Sequence, residues 1–401
     1  MKQSYKKSCL LLLAAMMGIF GCTNEANAKD KDPYSKYNAS WMAGNWGVTH
    51  VVNGGYKLDA AADSSDWVAG AEEIVKKLPS ITHVITFLSH PAQGYLYTLR
   101  DNDNVDVASE IHKDMVPSRK NEQIILDVID VYRRAGIKVI LYINTVGPAS
   151  VFDKERDGDI TKAWKTYYNS KWDGDEAAAW RDLVHGYVTR FDGLVDGYWL
   201  DNVGGMPGKF SDFVTMLRSV DPTLSIGMNR APQYFTDKND DFLYVDSDGK
   251  NDENETDYKI IKYGANNQYE DFTSGHVSPL AHGAPPNSWA YEEYTFPEMA
   301  KTPWDSFHGN YVLKHAWIPI RKAWHTSFAD LVFKTEQAYR FVRSITDGGA
   351  TMTWATTQVN GHMTSDEMKI MVEINDRMSQ KQKEDYQPYK RPKGASLVSS
   401  K

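Results

Sequence analysis

The sequence predicts an α/β protein built as a (β/α)8 barrel of TIM type. From Trp41 onward, apolar runs of strand length alternate with amphipathic helical patterns. About eight such units over about 330 residues suit a closed barrel with long inserted loops better than an open sheet. Strand, helix and strand at this spacing imply parallel strands joined by crossover helices. No glycine-rich phosphate fingerprint follows the first strand, which removes support for a nucleotide-binding sheet.

The first strand reads as "WGVTHVV" (46 to 52), followed by apolar residues at helical spacing in "DWVAGAEEIVKKL" (66 to 78). "THVITFL" (82 to 88) is the next strand. "NEQIILDVIDVYRRAG" (121 to 136) is an amphipathic helix stopped by Gly136, and "IKVILYIN" (137 to 144) follows at once. The helix "EAAAWRDLVHGYVTRF" (176 to 191) leads into "VDGYWLD", and "FSDFVTMLRSVDP" (210 to 222) leads into "LSIGMN" (224 to 229). Further strands are read at "DFLYVD" (241 to 246), "HAWIPI" (315 to 320) and "ATMTWAT" (350 to 356), with a helix over 328 to 349. Residues 41 to 378 then form the barrel.

The ends of the chain have another character. "MKQSYKKSCLLLLAAMMGIFGC" has a basic start, an apolar run from Leu10 to Phe20, and Gly21-Cys22. This is a secretory signal over 1 to 21, too short to remain as a membrane span. The small residue before Cys22 resembles a bacterial lipobox, which makes Cys22 the lipidation site and predicts an exported lipoprotein of the cell envelope. Cys9 leaves with the signal, so no internal disulfide is expected. Residues 22 to 40 are polar and aperiodic and read as a tether, and 379 to 401 as a disordered polar tail.

Removal of 1 to 21 takes away three lysines and no acids, moving the formal charge from −8 to −11. That balance argues against a nucleic-acid partner and leaves the lipid as the membrane contact. Aromatics make up 12% of the chain, enough to serve both a core and the faces of sugars. No Cys/His cluster has zinc spacing. "YVDSDGKNDENE" (244 to 255) resembles a calcium loop, but Tyr244 would have to be its first ligand and cannot replace an aspartate. No metal or cofactor is implied, and no feature specifies an oligomeric state.

In a barrel the active site lies at the carboxyl ends of the strands. Four such ends carry groups capable of chemistry: His50, His90, Asp201, and Asn229 with Arg230. Two imidazoles, an amide, a guanidinium and a carboxylate at one mouth make a hydrogen-bonding pocket suited to a sugar. Trp199 or Tyr198 adds an apolar wall, and alternation lets only one of them point inward.

The order and spacing of these motifs resemble the catalytic barrel of glycoside hydrolase family 29, the α-L-fucosidases. "WGVTHVVNGG" is similar to that family's first strand through His50, and "ITFLSHPAQGY" to its His-His-Asp-Gly-aromatic motif at His90, Gly94 and Tyr95, with a mismatch at Pro91. "VDGYWLDN" resembles the strand that delivers the nucleophilic aspartate, which implies that role for Asp201. "SIGMNRA" resembles its Asn-Arg strand, and "ITDGGATMTW" its late Gly-Gly turn. The resemblance spans 41 to 378. The β-sandwich often attached in that family is not expected here.

One departure concerns the proton donor. In the family a segment like "EDFTSG" is followed by the acid/base glutamate, and here His276 stands in that place. A retaining glycosidase needs donor and nucleophile about 5 to 5.5 Å apart. The candidates are His276 first, then Glu270, with Asp271, Asp246, Glu292 and Glu293 open. Two readings follow: a retaining glycosidase of α-L-fucosidase type acting on terminal sugars, with a sulfated or uronic-acid-containing glycan accommodated by Arg230, or a barrel that has lost its acid/base and captures glycan at the surface. A non-glycosidase hydrolase is a third.

Overall fold

The computed structural model describes residues 32–51, 64–89, 107–112, 119–148, 158–229, 243–246, 258–260, 264–265, 267–275, 291–322, 324–325, 329–386, 393 and 396–399. Its main feature is a ten-stranded sheet made of β1 (Trp46–Thr49), β2 (His83–Ser89), β3 (Lys138–Asn144), β4 (Gly197–Asp201), β5 (Ser225–Met228), β6 (Phe272–Thr273), β7 (Trp304–Phe307), β8 (Asn310–Leu313), β9 (His315–Pro319) and β10 (Thr351–Ala355). The strand order is β9-β10-β1-β2-β3-β4-β5-β6-β8-β7. Every pairing is parallel except the β7–β8 hairpin. That hairpin turns on His308 and Gly309, both at positive φ, which matches the twist of the flanking strands.

Helices fill the crossovers: α1 (Ser64–Lys77), α2 (Val107–Ile111), α3 (Arg119–Arg134), α4 (Gly158–Lys171), α5 (Glu176–Arg190), α6 (Phe210–Val220), α7 (Phe296–Lys301), α8 (Thr335–Thr346) and α9 (Ser365–Met378). In α3 the residues Ile124, Ile125, Val128, Ile129 and Tyr132 recur on one face and are buried against the sheet. Burying each such side chain contributes about 1.5 to 3 kcal/mol. Gly136 ends the helix at φ +76°, which lets the Ile137 N–H return to the Tyr132 carbonyl at 3.0 Å. The Asp175 side chain caps α5 by accepting from Ala178 N at 2.9 Å.

Alternation divides the strand side chains between two apolar clusters. Val48, Val84, Val139, Leu141, Tyr198 and Leu200 face the helices. Ile85, Ile140, Tyr142, Trp199, Phe272, Leu313 and Trp317 face the hollow of the curled sheet. Inward glycines make room for large neighbours. A Cβ on Gly47 would stand 2.3 Å from the His83 carbonyl oxygen, and one on Gly227 would stand 2.5 Å from the Phe272 ring. The edge strand β9 also reaches β6 across the sheet: His315 N donates to Thr273 Oγ1 at 2.9 Å and Trp317 N to Gly275 O at 2.8 Å.

Several expectations change. Leu243–Asp246 does not join the main sheet. It forms a separate antiparallel sheet with Tyr258–Ile260 and Ser396–Ser399, while the strand beside β5 is β6, a two-residue segment too short to announce itself in the sequence. The polar tail therefore carries a strand. The segment read as a tether is packed from Tyr34 onward: Tyr34 stacks on Trp304 at 4.9 Å, Asn38 donates to the carbonyls of Pro222 and Leu224 at 3.0 Å each, and Ala39 and Met42 are buried. The helix read from 328 begins at Thr335, because Leu331 bridges to Arg321 instead. Among the described residues, no helix is long and apolar enough to cross a membrane. Residues 1 to 21 and Cys22 lie outside the described residues.

Candidate active site

Asp201 closes β4 at the carboxyl end of the sheet, and its carboxylate is held from three sides. Oδ1 accepts from Asn229 Nδ2 at 2.7 Å and from the Asn202 backbone N–H at 2.9 Å. Oδ2 accepts from the Tyr142 hydroxyl and from Asn202 Nδ2 at 3.1 Å. Four donors and no acceptor suit an ionised carboxylate, which can only accept. The backbone beneath is equally fixed, since the Asp201 carbonyl takes Thr145 N at 3.0 Å and Thr145 Oγ1 at 2.6 Å.

Local conformation explains why these groups converge. Asn202 sits in the left-handed region at φ +56°, a conformation asparagine tolerates well, and from there both its N–H and its amide turn back on Asp201. Asn229 follows β5 directly, and its N–H pairs with Leu200 O at 2.7 Å, so it stands level with Asp201. Tyr142 shares the inward face of β3 with Ile140. Burial, reinforced by the charge and hydrogen bond of Asp201, pushes its hydroxyl well above the ordinary phenol value, so it remains a donor.

An aromatic row leads away from the carboxylate. Tyr142 stacks on Trp199 at 5.2 Å and 21°, Trp199 meets Trp317 edge-on at 4.5 Å, and Trp317 meets Trp324 at 5.3 Å. Trp199 is anchored by its indole N–H to Ser274 O at 2.8 Å, and Trp317 by its own to Thr49 Oγ1 at 3.1 Å. His325 continues the row, 6.0 Å from Trp324, with Nδ1 3.0 Å from Thr356 O. Of the two aromatics proposed for an apolar wall, Trp199 points inward, while Tyr198 belongs to the cluster beneath the helices.

The other candidate residues separate. His50 faces the helix layer, wholly buried between Trp67 and Tyr132, with Nδ1 2.8 Å from the Tyr132 hydroxyl and Nε2 3.0 Å from Gly361 O. Both ring nitrogens are thus occupied by protein, and burial pulls its pKa down to about 4. It does not stand with Asp201, because strand alternation gives the inward position to Thr49.

Glu270 precedes β6 and so lies at the opposite end of the sheet. The register Gly197↔Ser225 and Gly227↔Phe272 puts it level with Gly197, four residues below Asp201. At about 3.3 Å per residue that is roughly 13 Å, beyond the reach of a paired acid. Asp271 is likewise structural: it accepts from Arg218 at 2.8 and 2.9 Å and from Ile226 N at 2.9 Å. Burial raises its pKa against the opposing pull of Arg218 and Ile226 N. Glu292 is engaged by Arg340 at 2.6 and 3.0 Å in the outer layer. Asp246 lies in the separate sheet.

His90, Arg230 and His276 lie outside the described residues, as does most of 244 to 255. The chain reaches position 276 from Gly275, at the carboxyl end of β6. Among the described residues, no group of His, Cys, Asp and Glu is arranged to hold a metal ion. Tyr142, Asn202 and the Trp317–Trp324–His325 row were missed by the sequence reading. Tyr142 was within reach, because "VILYIN" places it on the same strand face as Ile140.

The family model described as endo-alpha(1,4)-fucoidanase Mef1 matches residues 36–401. Among solved structures, the endo-fucoidan hydrolase P5AFcnA from glycoside hydrolase family 107 is 63% identical, covering 90% of this chain and 99% of that one, at a TM-score of 0.83. The endo-fucoidan hydrolase MfFcnA4 of the same family shares the fold at 13% identity and a TM-score of 0.63, over 84% of this chain and 53% of that one. An α-L-fucosidase, AlfC from Lactobacillus casei, reaches 11% identity and a TM-score of 0.46, over 84% of this chain and 96% of that one. A comparison with curated proteins finds no match.

These findings overturn the resemblance to family 29, which rested on strand-end motifs that a barrel-like fold can present in more than one family. The chain is a glycoside hydrolase and belongs to glycoside hydrolase family 107, the family of the endo-fucoidanases.

Proposed function

We propose that the protein is an endo-acting fucoidan hydrolase, cutting α(1,4) bonds inside a sulfated fucose polymer, with Asp201 as nucleophile. The observation that carries this reading is the Asp201 carboxylate, fixed by Tyr142, Asn202 and Asn229 at the carboxyl ends of adjacent strands, in a chain 63% identical to an endo-fucoidan hydrolase. An endo action replaces the expected attack on terminal sugars, and the buried row Tyr142, Trp199 and Trp317 braces the wall beneath Asp201.

Asp201 attacks the anomeric carbon of one fucosyl unit while His276 gives its proton to the departing oxygen. His276 then takes a proton from water, which displaces Asp201 and restores both groups. The register supports this pairing over Glu270. Asp201, Asn229 and Ser274 are level, so the chain passes toward position 276 at the end of the sheet where Asp201 stands, whereas Glu270 enters from the other end. A histidine near its reference pKa of about 6.5 can serve as both acid and base. Arg230, following Asn229, suits a sulfate.

The sheet in this reading is a closed (β/α)8 barrel, supported by the hydrogen bonds from His315 N and Trp317 N of β9 to the β6 segment. Residues 1 to 21 direct export and Cys22 carries a lipid anchor, which suits an enzyme acting on a polymer too large to import.

The test is to follow chain length and reducing ends when the protein acts on fucoidan, beside Asp201→Ala. A rapid fall in mean chain length, oligosaccharides as first products and a loss of several orders of magnitude in the variant support the reading. Free fucose from the outset would restore terminal attack, and binding without any cleavage would restore glycan capture.

A further inference from the structure

Asn144 ends β3 and is the register partner of Asp201 on the neighbouring strand. It shares a strand face with Ile140 and Tyr142, both in the inner cluster, so it stands in the same ring of side chains as Asp201 and Asn229. Only 1% of it is exposed. Its Oδ1 accepts from Val146 N at 3.2 Å, which fixes the amide's orientation and turns Nδ2 away from that backbone. Nδ2 has no hydrogen-bond partner among the described residues.

The contrast with its neighbours is what gives this meaning. Tyr142, Asn202 and Asn229 all spend a donor on Asp201, and Asn144, beside the same carboxylate, does not. A buried amide N–H without an acceptor carries a desolvation penalty that a folded chain rarely retains by chance. Thr86 Oγ1 also lacks a partner, but its parity with Val84 sends it toward the helices, away from the site.

We infer that Asn144 is a substrate-binding residue, its Nδ2 donating a hydrogen bond to an acceptor oxygen of the sugar seated against Asp201. The inference rests on the proposed fucoidan hydrolysis. The oxygen belongs to a hydroxyl or to a sulfate ester, both good acceptors, and the free donor is satisfied when the sugar arrives. A site that owns such a donor discriminates against ligands that leave it unpaired, so Asn144 contributes to specificity as well as affinity.

The experiment measures kcat and KM on fucoidan oligosaccharides for the wild type, Asn144→Leu and Asn144→Asp, with melting temperatures alongside. Asn144→Asp keeps an acceptor for Val146 N while replacing the donor with a carboxylate, so it guards against misfolding of the leucine variant. Both variants are expected to lose at least about tenfold in kcat/KM while melting within a few degrees of wild type. If Asp is the poorer of the two on sulfated oligosaccharides and not on desulfated ones, the partner is a sulfate oxygen repelled by the new carboxylate. If Asp equals or exceeds Leu, the partner is a hydroxyl that can turn its own proton to the carboxylate. Variants as active as wild type overturn the inference while leaving the function intact. A wild type that leaves fucoidan uncut, with no comparison of variants needed, overturns the function and this inference with it.

Discussion

The Tyr142 hydroxyl donates to Oδ2 of Asp201, while its ring lies on the face of Trp199. The phenol is thereby fixed at one end by packing and at the other by the carboxylate it steadies. In the second half of the proposed retaining reaction Asp201 leaves as an anion, and a donor already in place stabilises it without reorganisation. A hydrogen bond to a charged group contributes about 1.5 to 3 kcal/mol, so Tyr142→Phe is expected to lower kcat by roughly tenfold to hundredfold. The phenylalanine ring keeps the contact with Trp199, so the melting temperature should hold. Pre-steady-state kinetics would show a burst if departure of Asp201 has become limiting, and an unchanged kcat would remove Tyr142 from the mechanism.

Two buried imidazoles contribute to acid sensitivity. Burial lowers the pKa of His50 to about 4 and that of His83 to about 3. His83 lies in the hollow of the sheet, its Nε2 2.8 Å from Thr353 Oγ1, which in turn stands 2.8 Å from Nε2 of His315. Both His50 and His83 are neutral when folded and titrate near 6.5 when unfolded, so the unfolded chain binds more protons below that pH. Their contribution to stability is full above about pH 6.5 and is lost as pH falls toward 4 and then 3, at about 1.4 kcal/mol per pH unit for each group. Denaturant midpoints measured from pH 7 to 4.5 should fall accordingly, and more gently in His50→Gln. A variant with the wild-type slope would assign the acid sensitivity to other groups.

Much of the fold was legible because parallel strands buried on both faces read as apolar runs. "KVILYIN" and "GYWLD" stand out in this way, and the helices between them show their faces at helical spacing. What escaped was β6, whose two paired residues, Phe272 and Thr273, have no periodicity to detect. Its omission let Leu243–Asp246 take its place, although that segment pairs with the tail strand Ser396–Ser399 through long-range contacts that no local pattern encodes.

The site was legible where a polar residue ends a buried run and not where parity decides. Asp201 and Asn229, which the structure brings together, were singled out because each follows an apolar strand run. His50 also ends a run, yet the inward side chain on β1 is that of Thr49, whose neighbour across the hollow is Trp317. Glu270 was misplaced for a related reason: without β6 in view, nothing showed that the acids of "YEDF" enter the strand from its far end.

The pair Arg321 and Glu367 ties the segments that carry the end of the aromatic row. Glu367, fully buried at the start of α9, accepts from Arg321 Nε through one oxygen and from Thr357 N at 2.6 Å through the other. Arg321 also donates to Asp366 at 2.6 Å, Thr364 at 3.0 Å and the Ala329 carbonyl at 2.8 Å. Trp324 and His325 follow Arg321 in sequence, and His325 reaches Thr356 O next to the residue Glu367 holds. Removing one partner of a buried pair leaves an uncompensated charge, so Arg321→Leu is expected to cost about 3 to 5 kcal/mol, far more than an exposed ion pair would. The double variant Arg321→Leu with Glu367→Leu should recover a large part of that loss, because neither charge then remains buried. Urea titrations of the four proteins form a cycle: a strong positive coupling supports the pair as the clamp on this loop, and additive losses would show that each residue acts through its other contacts.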